Sequence, residues 1–197
     1  MDITAKMVKD LRAKTGAGMM DCKKALSETD GDLDKAIKAL RESGIAKAAK
    51  KGERKTTEGI IATYIHPGDK LGVMVEIACE TDFVARTDQF KAFAHDIAMH
   101  IAAVDPLVVG RDEMDNSIIE SEREIFKQQA INDGKPEKIV DKIVEGRIEK
   151  YYSEVVLLEQ TFVRDNEKTI KGVVDEMIAK LGENMAIKRF TRFRLGG

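Results

Sequence analysis

The sequence has few of the features that mark a disulfide scaffold or a membrane protein. It has no tryptophan and only two cysteines, Cys22 and Cys79, among 197 residues. Two cysteines are too few for a disulfide framework, so we expect reduced thiols. No apolar run is long enough to span a bilayer, and the start MDITAKMVKD shows neither a hydrophobic signal segment nor a transit stretch rich in arginine and serine. We therefore expect a cytoplasmic protein.

An excess of charge of one sign is also missing. Lys and Arg number 33 and Asp and Glu number 35, which gives a net charge of -2. This balance does not indicate a polyanionic partner. Charged residues make up 35% and hydrophobic residues 43% of the chain, as is usual for a water-soluble, helix-rich protein.

Motifs for metal, cofactor or nucleotide binding are absent as well. His95 and His100 are five residues apart, whereas two ring nitrogens reach one metal from a helix at a spacing of four. Gly16 and Gly18 match part of a dinucleotide fingerprint, but they follow a predicted helix, and Asp21 stands where the third glycine belongs. We expect no metal, no cofactor and no directly bound nucleotide.

The first forty residues predict a three-helix unit. Thr4 is a candidate N-cap, and Gly16 and Gly18 can end the first helix and turn the chain. The third helix shows apolar residues three and four apart, at Leu33, Ala36, Ile37 and Leu40. This arrangement resembles ubiquitin-associated domains. Met19 and Met20 at the turn either form an adaptable interface or pack between helices.

Residues 41–56 form a basic segment after this unit. It includes RESGIAKAAKKGERK and predicts a linker helix with a solvated face. A nucleic-acid-binding arm is the alternative, but the chain lacks both the net positive charge and the stacking aromatic residues that usually accompany one.

The range 57–197 predicts a small antiparallel sheet packed with helices, which makes the fold class α+β. We expect a β-hairpin made of the strand GIIATYI, the turn His66–Lys70 and the strand LGVMVEIAC. A third strand is expected at Met185–Leu195. A helix with Thr87 as N-cap should place its phenylalanines on the sheet. A helical hairpin is expected at about 117–152, opened by a capping box at Ser117 and Glu120. A last helix should run from about Glu167 to Leu181.

Phe83 lies on the connection that follows the second strand of this hairpin. The side chain either plugs the base of the next helix or is offered to a partner. Loops between rigid elements commonly carry interaction residues, and one aromatic anchor can supply much of an interface. Spacing alone favours the first interpretation, in which Phe83 plugs the base of the next helix.

Three segments of the chain are informative together: LRAKTGAGMMDCKKAL at Leu11–Leu26, EIACETDFVAR at Glu76–Arg86, and GENMAIKRFTRFRLGG at Gly182–Gly197. These segments resemble the bacterial elongation factor Ts family, the nucleotide-exchange factors of elongation factor Tu. They occur in the family's order and extend over nearly the whole chain. One departure is Ala78, which stands where the family usually has an asparagine.

The resemblance implies a translation elongation factor that acts by binding and not as an enzyme. It would bind elongation factor Tu with GDP, dislocate Mg²⁺ and promote GDP release. The implied partner-binding residues are Thr81, Asp82, Phe83 and Val84, together with Arg12, Met19, Met20 and His100. The N-terminal unit would dock on the partner. Longer family members carry two similar core halves and this chain has one hairpin region, so a homodimer is expected.

Two other classes of function stay open at this point. A general adaptor would use the N-terminal bundle to recognise a ubiquitin-like or helical partner, without any effect on GDP release. A thiol enzyme would use Cys22, which lies near a helix N-terminus beside Lys23 and Lys24. No partner histidine is evident in that unit, and a structural thiol is the simpler interpretation.

Overall fold

The computed structural model describes residues 3–196 and contains both helices and small sheets. The predicted α+β class is therefore confirmed. Residues 1, 2 and 197, which the predicted ranges include, lie outside the described residues. The elements in chain order are α1 (Ala5–Thr15), α2 (Met19–Glu28), α3 (Leu33–Lys51), β1 (Glu58–Ile65), β2 (Leu71–Cys79), α4 (Asp82–Ala85), α5 (Asp88–Val104), α6 (Asn116–Asn132), α7 (Glu137–Val155), β3 (Thr161–Phe162), β4 (Asp165–Thr169), α8 (Ile170–Leu181) and β5 (Met185–Arg194).

Helices α1 to α3 form the predicted N-terminal bundle. The side chain of Thr4 accepts a hydrogen bond from the backbone N–H of Met7 at 3.3 Å and caps α1. Gly16 ends that helix with φ +68°, a left-handed conformation that glycine adopts without strain. The buried core consists of Val8, Leu11, Cys22, Ala25, Leu26 and Ala36. Helix α3 continues through most of the basic segment, so the third bundle helix and the expected linker helix are one element.

The three-stranded sheet has the order β1-β2-β5, and β5 is the third strand that the sequence predicts. In the hairpin turn, the N–H of His66 donates to the carbonyl of Leu71 at 2.9 Å, and Asp69 has φ +57°. At the other end of the pair, a Cβ on Gly59 would lie 2.2 Å from the carbonyl oxygen of Ile77. Only glycine allows β1 and β2 to approach this closely.

Helix α5 begins as the sequence predicts. The backbone N–H of Phe90 donates to Thr87 Oγ1 at 3.2 Å, which makes Thr87 the capping residue. The predicted inward positions are all buried: Phe90, Phe93, Ala94, Ile97 and Ile101. Their spacing of three and four residues places them on one face of the helix.

Helices α6 and α7 form the predicted helical hairpin, but the predicted cap is wrong. The side chain of Asp115 accepts from the N–H of Ser117 at 2.8 Å and caps α6, so Ser117 lies inside the helix. The short side chain of Asp115 reaches the first free N–H groups, which removes the need for a capping box. Between the two helices, Arg123 pairs with Glu145. The core of the hairpin includes Ile119, Ala130, Val140, Val144 and Ile148.

The last helix starts later than the sequence predicts. Residues 165–169 form β4, which pairs antiparallel with β3, and α8 begins only at Ile170. The segment DNEKT has neither the alternation of a half-buried strand nor β-branched residues apart from Thr169. Tertiary pairing overrides its weak local preference.

The chain divides into two compact units. The first contains Met1–Ile60, Ile77–Phe93 and Gly172–Ala186, and the second contains Ile61–Glu76, Ala94–Lys171 and Ile187–Gly197. The division of the sequence into ranges 1–40, 41–56 and 57–197 stays a prediction about independent folding. No helix within residues 3–196 combines the length and the apolar character needed to cross a membrane.

Candidate partner-binding surface

Phe83 lies on the one-turn helix α4 and points into solvent. Its exposed fraction is 80%, whereas Ala85 on the same turn is 5% exposed. The connection after β2 is therefore a short helix and not an irregular loop. The alternative interpretation, in which Phe83 plugs the base of the next helix, is wrong because such a side chain would be buried. A large exposed aromatic residue on an ordered turn is a candidate interface anchor.

Local hydrogen bonds define the turn around Phe83. Thr81 is the N-cap, and its Oγ1 accepts from the N–H of Val84 at 3.5 Å. The carboxylate of Asp82 pairs with Arg86 at 2.8 Å, one helical turn further on. Asp82 also lies in the first turn of α4, where a negative charge suits the free N–H groups. Thr81, Asp82, Phe83 and Val84 thus act as one structural element.

A distant carboxylate holds the start of this element. Glu183 accepts two hydrogen bonds from Thr81, one from the backbone N–H at 3.0 Å and one from the hydroxyl at 2.6 Å. The two residues are 102 positions apart in the chain. The sequence offered no signal for Glu183, because a glutamate after a helix-ending glycine is ordinary and only the fold brings it to Thr81.

The N-terminal bundle exposes a second candidate surface. Met19 is 61% exposed and Met20 is 75% exposed, so the interpretation that they pack between helices is wrong. They border a groove on α1 and α2 that is lined by Ile3, Ala5, Val8, Lys9, Arg12, Met19, Met20 and Lys23. Five of these residues are apolar and three are basic. Flexible methionines suit a surface that adapts to the shape of a partner.

His100 is fully buried, unlike the other residues that the resemblance implies. Its Nδ1 accepts from the N–H of Val163 at 3.4 Å, and its Nε2 lies 3.0 Å from Oε1 of Gln160. Burial lowers the pKa of His100, and the hydrogen bond to Gln160 acts in the opposite direction with a smaller effect. In this conformation the His100 side chain organises its own unit and offers no surface to a partner.

Neither cysteine is arranged for nucleophilic chemistry. Cys22 and Cys79 are both buried and free. Burial raises the pKa of the Cys79 thiol, and Glu183 adds to the increase. Reactive thiols need the opposite shift and access to substrate. Within residues 3–196, no cluster of three or more His, Cys, Asp or Glu side chains could hold a metal ion.

A third surface lies on the outward face of the sheet in the second unit. Several large apolar side chains there are exposed: Ile61, Ile65, Met74 and Phe193. The Cδ1 atom of Ile65 would lie 2.9 Å from a Cβ on Gly72, so the Ile65 side chain lies flat over that glycine. Arg189 Nε donates to Glu76 Oε2 at 2.7 Å across β5 and β2. We call this set of residues the open sheet face.

Comparison with known proteins gives one consistent result. The family model described as "Elongation factor TS" matches residues 3–197. Elongation factor Ts of Thermoanaerobacter sp. (strain X514) is 57% identical over 194 residues, which cover 98% of this chain and 95% of that protein. The proteins of the same name from Herpetosiphon aurantiacus and Desulfotalea psychrophila are each 56% identical over 196 residues; these cover all of this chain and 99% and 100% of those proteins. The chain therefore belongs to the elongation factor Ts family and is a translation elongation factor.

Proposed function

We propose that this chain is a guanine-nucleotide exchange factor for elongation factor Tu and acts in the cytoplasm. It binds elongation factor Tu with GDP, displaces the Mg²⁺ that holds the nucleotide, and promotes GDP release without making or breaking a covalent bond. The single observation that carries this proposal is the exposed Phe83 on an ordered one-turn helix. The family membership of the chain gives the partner.

Phe83 acts as a wedge in this mechanism. The side chain enters an apolar pocket of the nucleotide-binding domain, and Asp82 and Val84 contact the walls of that pocket. Burial of one aromatic anchor contributes on the order of 2 kcal/mol or more to an interface. Binding effects are reciprocal, so a factor that prefers the nucleotide-free partner must weaken GDP binding by the same ratio. Each tenfold weakening of GDP binding requires that the factor bind the nucleotide-free partner about 1.4 kcal/mol more favourably than the GDP-bound partner.

The groove on α1 and α2 provides docking in this proposal. Met19 and Met20 supply adaptable apolar contact, and Arg12 supplies a cation in the lining of the groove. A cation at the edge of an apolar groove guides an acidic, amphipathic helix into one orientation. The docking contact raises the local concentration of the wedge near its pocket.

A homodimer joined through the open sheet face completes the proposed assembly. Ile61, Ile65, Met74 and Phe193 form an apolar area on a sheet of only three strands. A second copy would cover this area with the same residues, as a two-fold axis requires. Phe83 belongs to the first unit and is not one of the residues of this proposed contact.

A nucleotide-release assay tests the proposed function. Elongation factor Tu is loaded with a fluorescent GDP, excess unlabelled GDP is added, and the release rate is followed with and without this chain. We expect release to accelerate with chain concentration, and excess Mg²⁺ to reduce the acceleration. Binding without any acceleration would favour the adaptor and contradict the exchange function.

A further inference from the structure

Helix α4 is too short to hold its own shape. It has four residues, and the first hydrogen-bonded turn of a helix is unfavourable without outside support. Phe83 cannot supply that support because it is 80% exposed, and Ala85 contributes only a small apolar contact. An ordered wedge therefore needs contacts from another part of the chain.

Glu183 makes the strongest of these contacts. Its two carboxylate oxygens accept from the backbone N–H and the hydroxyl of Thr81, and charge-assisted bonds of this kind are stronger than neutral ones. The Thr81 hydroxyl donates its hydrogen to Glu183. The lone pairs of Thr81 Oγ1 are therefore turned towards the N–H of Val84. Glu183 therefore orients the residue that caps α4.

The residues next to Thr81 and Glu183 form a second contact, in which the donor and acceptor sides are exchanged. Oε1 of Glu80 accepts from the backbone N–H of Asn184 at 2.6 Å. The Asn184 side chain in turn donates to the carbonyls of Gly52 at 3.2 Å and Arg54 at 2.8 Å, just after α3. We call these hydrogen-bonded residues the clamp: Glu80, Thr81, Glu183 and Asn184. The clamp joins the start of α4 to the segment that follows α3 within the first unit.

We propose that Glu183 is a positioning residue for nucleotide exchange, which acts through Phe83 and touches no nucleotide itself. This inference rests on the proposed exchange function. The clamp keeps α4 in the conformation that enters the partner, so little ordering entropy is lost on binding. Without the Glu183 carboxylate, α4 samples other orientations and the productive fraction falls, which lowers the apparent affinity by the same factor.

A double-mutant cycle between Glu183 and Phe83 separates positioning from a general effect on folding. We expect Glu183→Ala to lower the second-order rate constant of stimulated GDP release about tenfold. In the Phe83→Ala background the same substitution should lower it by less than about twofold, because a misplaced wedge matters only while the wedge exists. Glu42→Ala, at an exposed carboxylate on α3 of the same unit, is the matched control and should leave release unchanged.

Glu183→Gln keeps the size and one acceptor oxygen, so it should give an intermediate loss and the same non-additivity, and it carries the test if the alanine variant does not fold. Hydrogen exchange of the folded variants provides a readout that is independent of nucleotide. Protection at the amides of Thr81 and Val84 should fall in Glu183→Ala, while that of Leu11 in the bundle core stays unchanged.

The outcomes distinguish the two proposals. A folded Glu183→Ala variant with normal release, while Phe83→Ala is slow, would overturn the positioning role and leave the exchange function standing. A full tenfold further loss in the Phe83→Ala background would also overturn it. If Phe83→Ala itself releases GDP at the normal rate, the exchange mechanism fails and the positioning role fails with it.

Discussion

Nε2 of His100 lies 3.0 Å from Oε1 of Gln160, and both side chains are buried. The N–H of Val163 faces the other ring nitrogen, and the Gln160 amide donates to the carbonyl of Glu154 at 2.6 Å. One tautomer satisfies this chain of hydrogen bonds: a neutral ring with its proton on Nε2. A second proton on Nδ1 would leave the N–H of Val163 without its acceptor.

The stability of the protein should therefore fall as the pH falls. The pKa of His100 is lowered in the folded state, so the unfolded chain takes up a proton first as the pH drops below about 6.5. The free energy of unfolding then decreases by at most about 1.4 kcal/mol per pH unit for one group, down to the lowered pKa. Urea unfolding of the wild type and His100→Asn between pH 8 and pH 5 measures this effect. His66→Gln, at an exposed histidine, is the control. Equal pH dependence in all three proteins would contradict the role of His100.

Met19 and Met20 should matter for binding and not for folding. Both are exposed, so Met19→Ser together with Met20→Ser should change the free energy of unfolding by less than about 1 kcal/mol in total. Loss of the apolar contact should weaken binding to elongation factor Tu at least about tenfold. Calorimetric titration measures the affinity, and Ile45→Ser on α3 is the control at another exposed apolar position. Undiminished binding would show that the groove on α1 and α2 is not the docking surface.

The open sheet face should join two copies of the chain. Phe193 is 67% exposed there, and Phe193→Glu places a charge in the proposed contact. We expect the wild type to sediment with twice the 21.9 kDa chain mass at micromolar concentration and the variant to sediment as a monomer. An uncharged polar substitution, Phe193→Gln, should give an intermediate dissociation constant. A wild-type species of 21.9 kDa would contradict the proposed dimer.

Replacement of two glycines by alanine should change the stability of the protein in opposite directions. Gly146 lies inside α7 with open space around its missing Cβ, so Gly146→Ala should stabilise the protein by about 0.5–1 kcal/mol. A Cβ on Gly59 would collide with backbone atoms of β2, and the φ of +148° is unfavourable for alanine, so Gly59→Ala should destabilise by several kcal/mol. Thermal unfolding followed by circular dichroism compares the two. A stable Gly59→Ala variant would show that β1 and β2 can separate at this point without loss.

Local patterns were sufficient to predict much of the fold. The caps at Thr4 and Thr87 and the periodic apolar residues of α3 and α5 depend on neighbours within one or two turns, which the sequence displays directly. The strand β4 was missed because its polar residues take their conformation from pairing with β3 and not from their own preference. The cap of α6 was missed because the capping-box pattern at Ser117 and Glu120 indicates a helix start there, whereas Asp115 caps the helix two residues earlier.

Only some residues of the candidate site could be predicted from the sequence. Phe83 and the methionine pair could be picked out by residue type and position. Their exposure is a property of the fold. It excludes both packing interpretations, in which Phe83 plugs the next helix and the two methionines pack between helices. Glu183 could not be found, because its contact to Thr81 joins residues that are far apart in the chain. His100, which the family resemblance implies as a partner-binding residue, is buried, and its burial could not be read from the sequence either.

The most direct test of the exchange mechanism is the release rate of fluorescent GDP from elongation factor Tu in the presence of Phe83→Ala. Gln89→Ala, at an exposed position six residues further along in the first turn of α5, is the matched control. We expect both variants to be as stable as the wild type and Gln89→Ala to stimulate release normally. Phe83→Ala should stimulate release at least about tenfold less, because an anchor of roughly 2 kcal/mol or more is lost. Normal stimulation by a folded Phe83→Ala variant would show that Phe83 is not the anchor that drives GDP release.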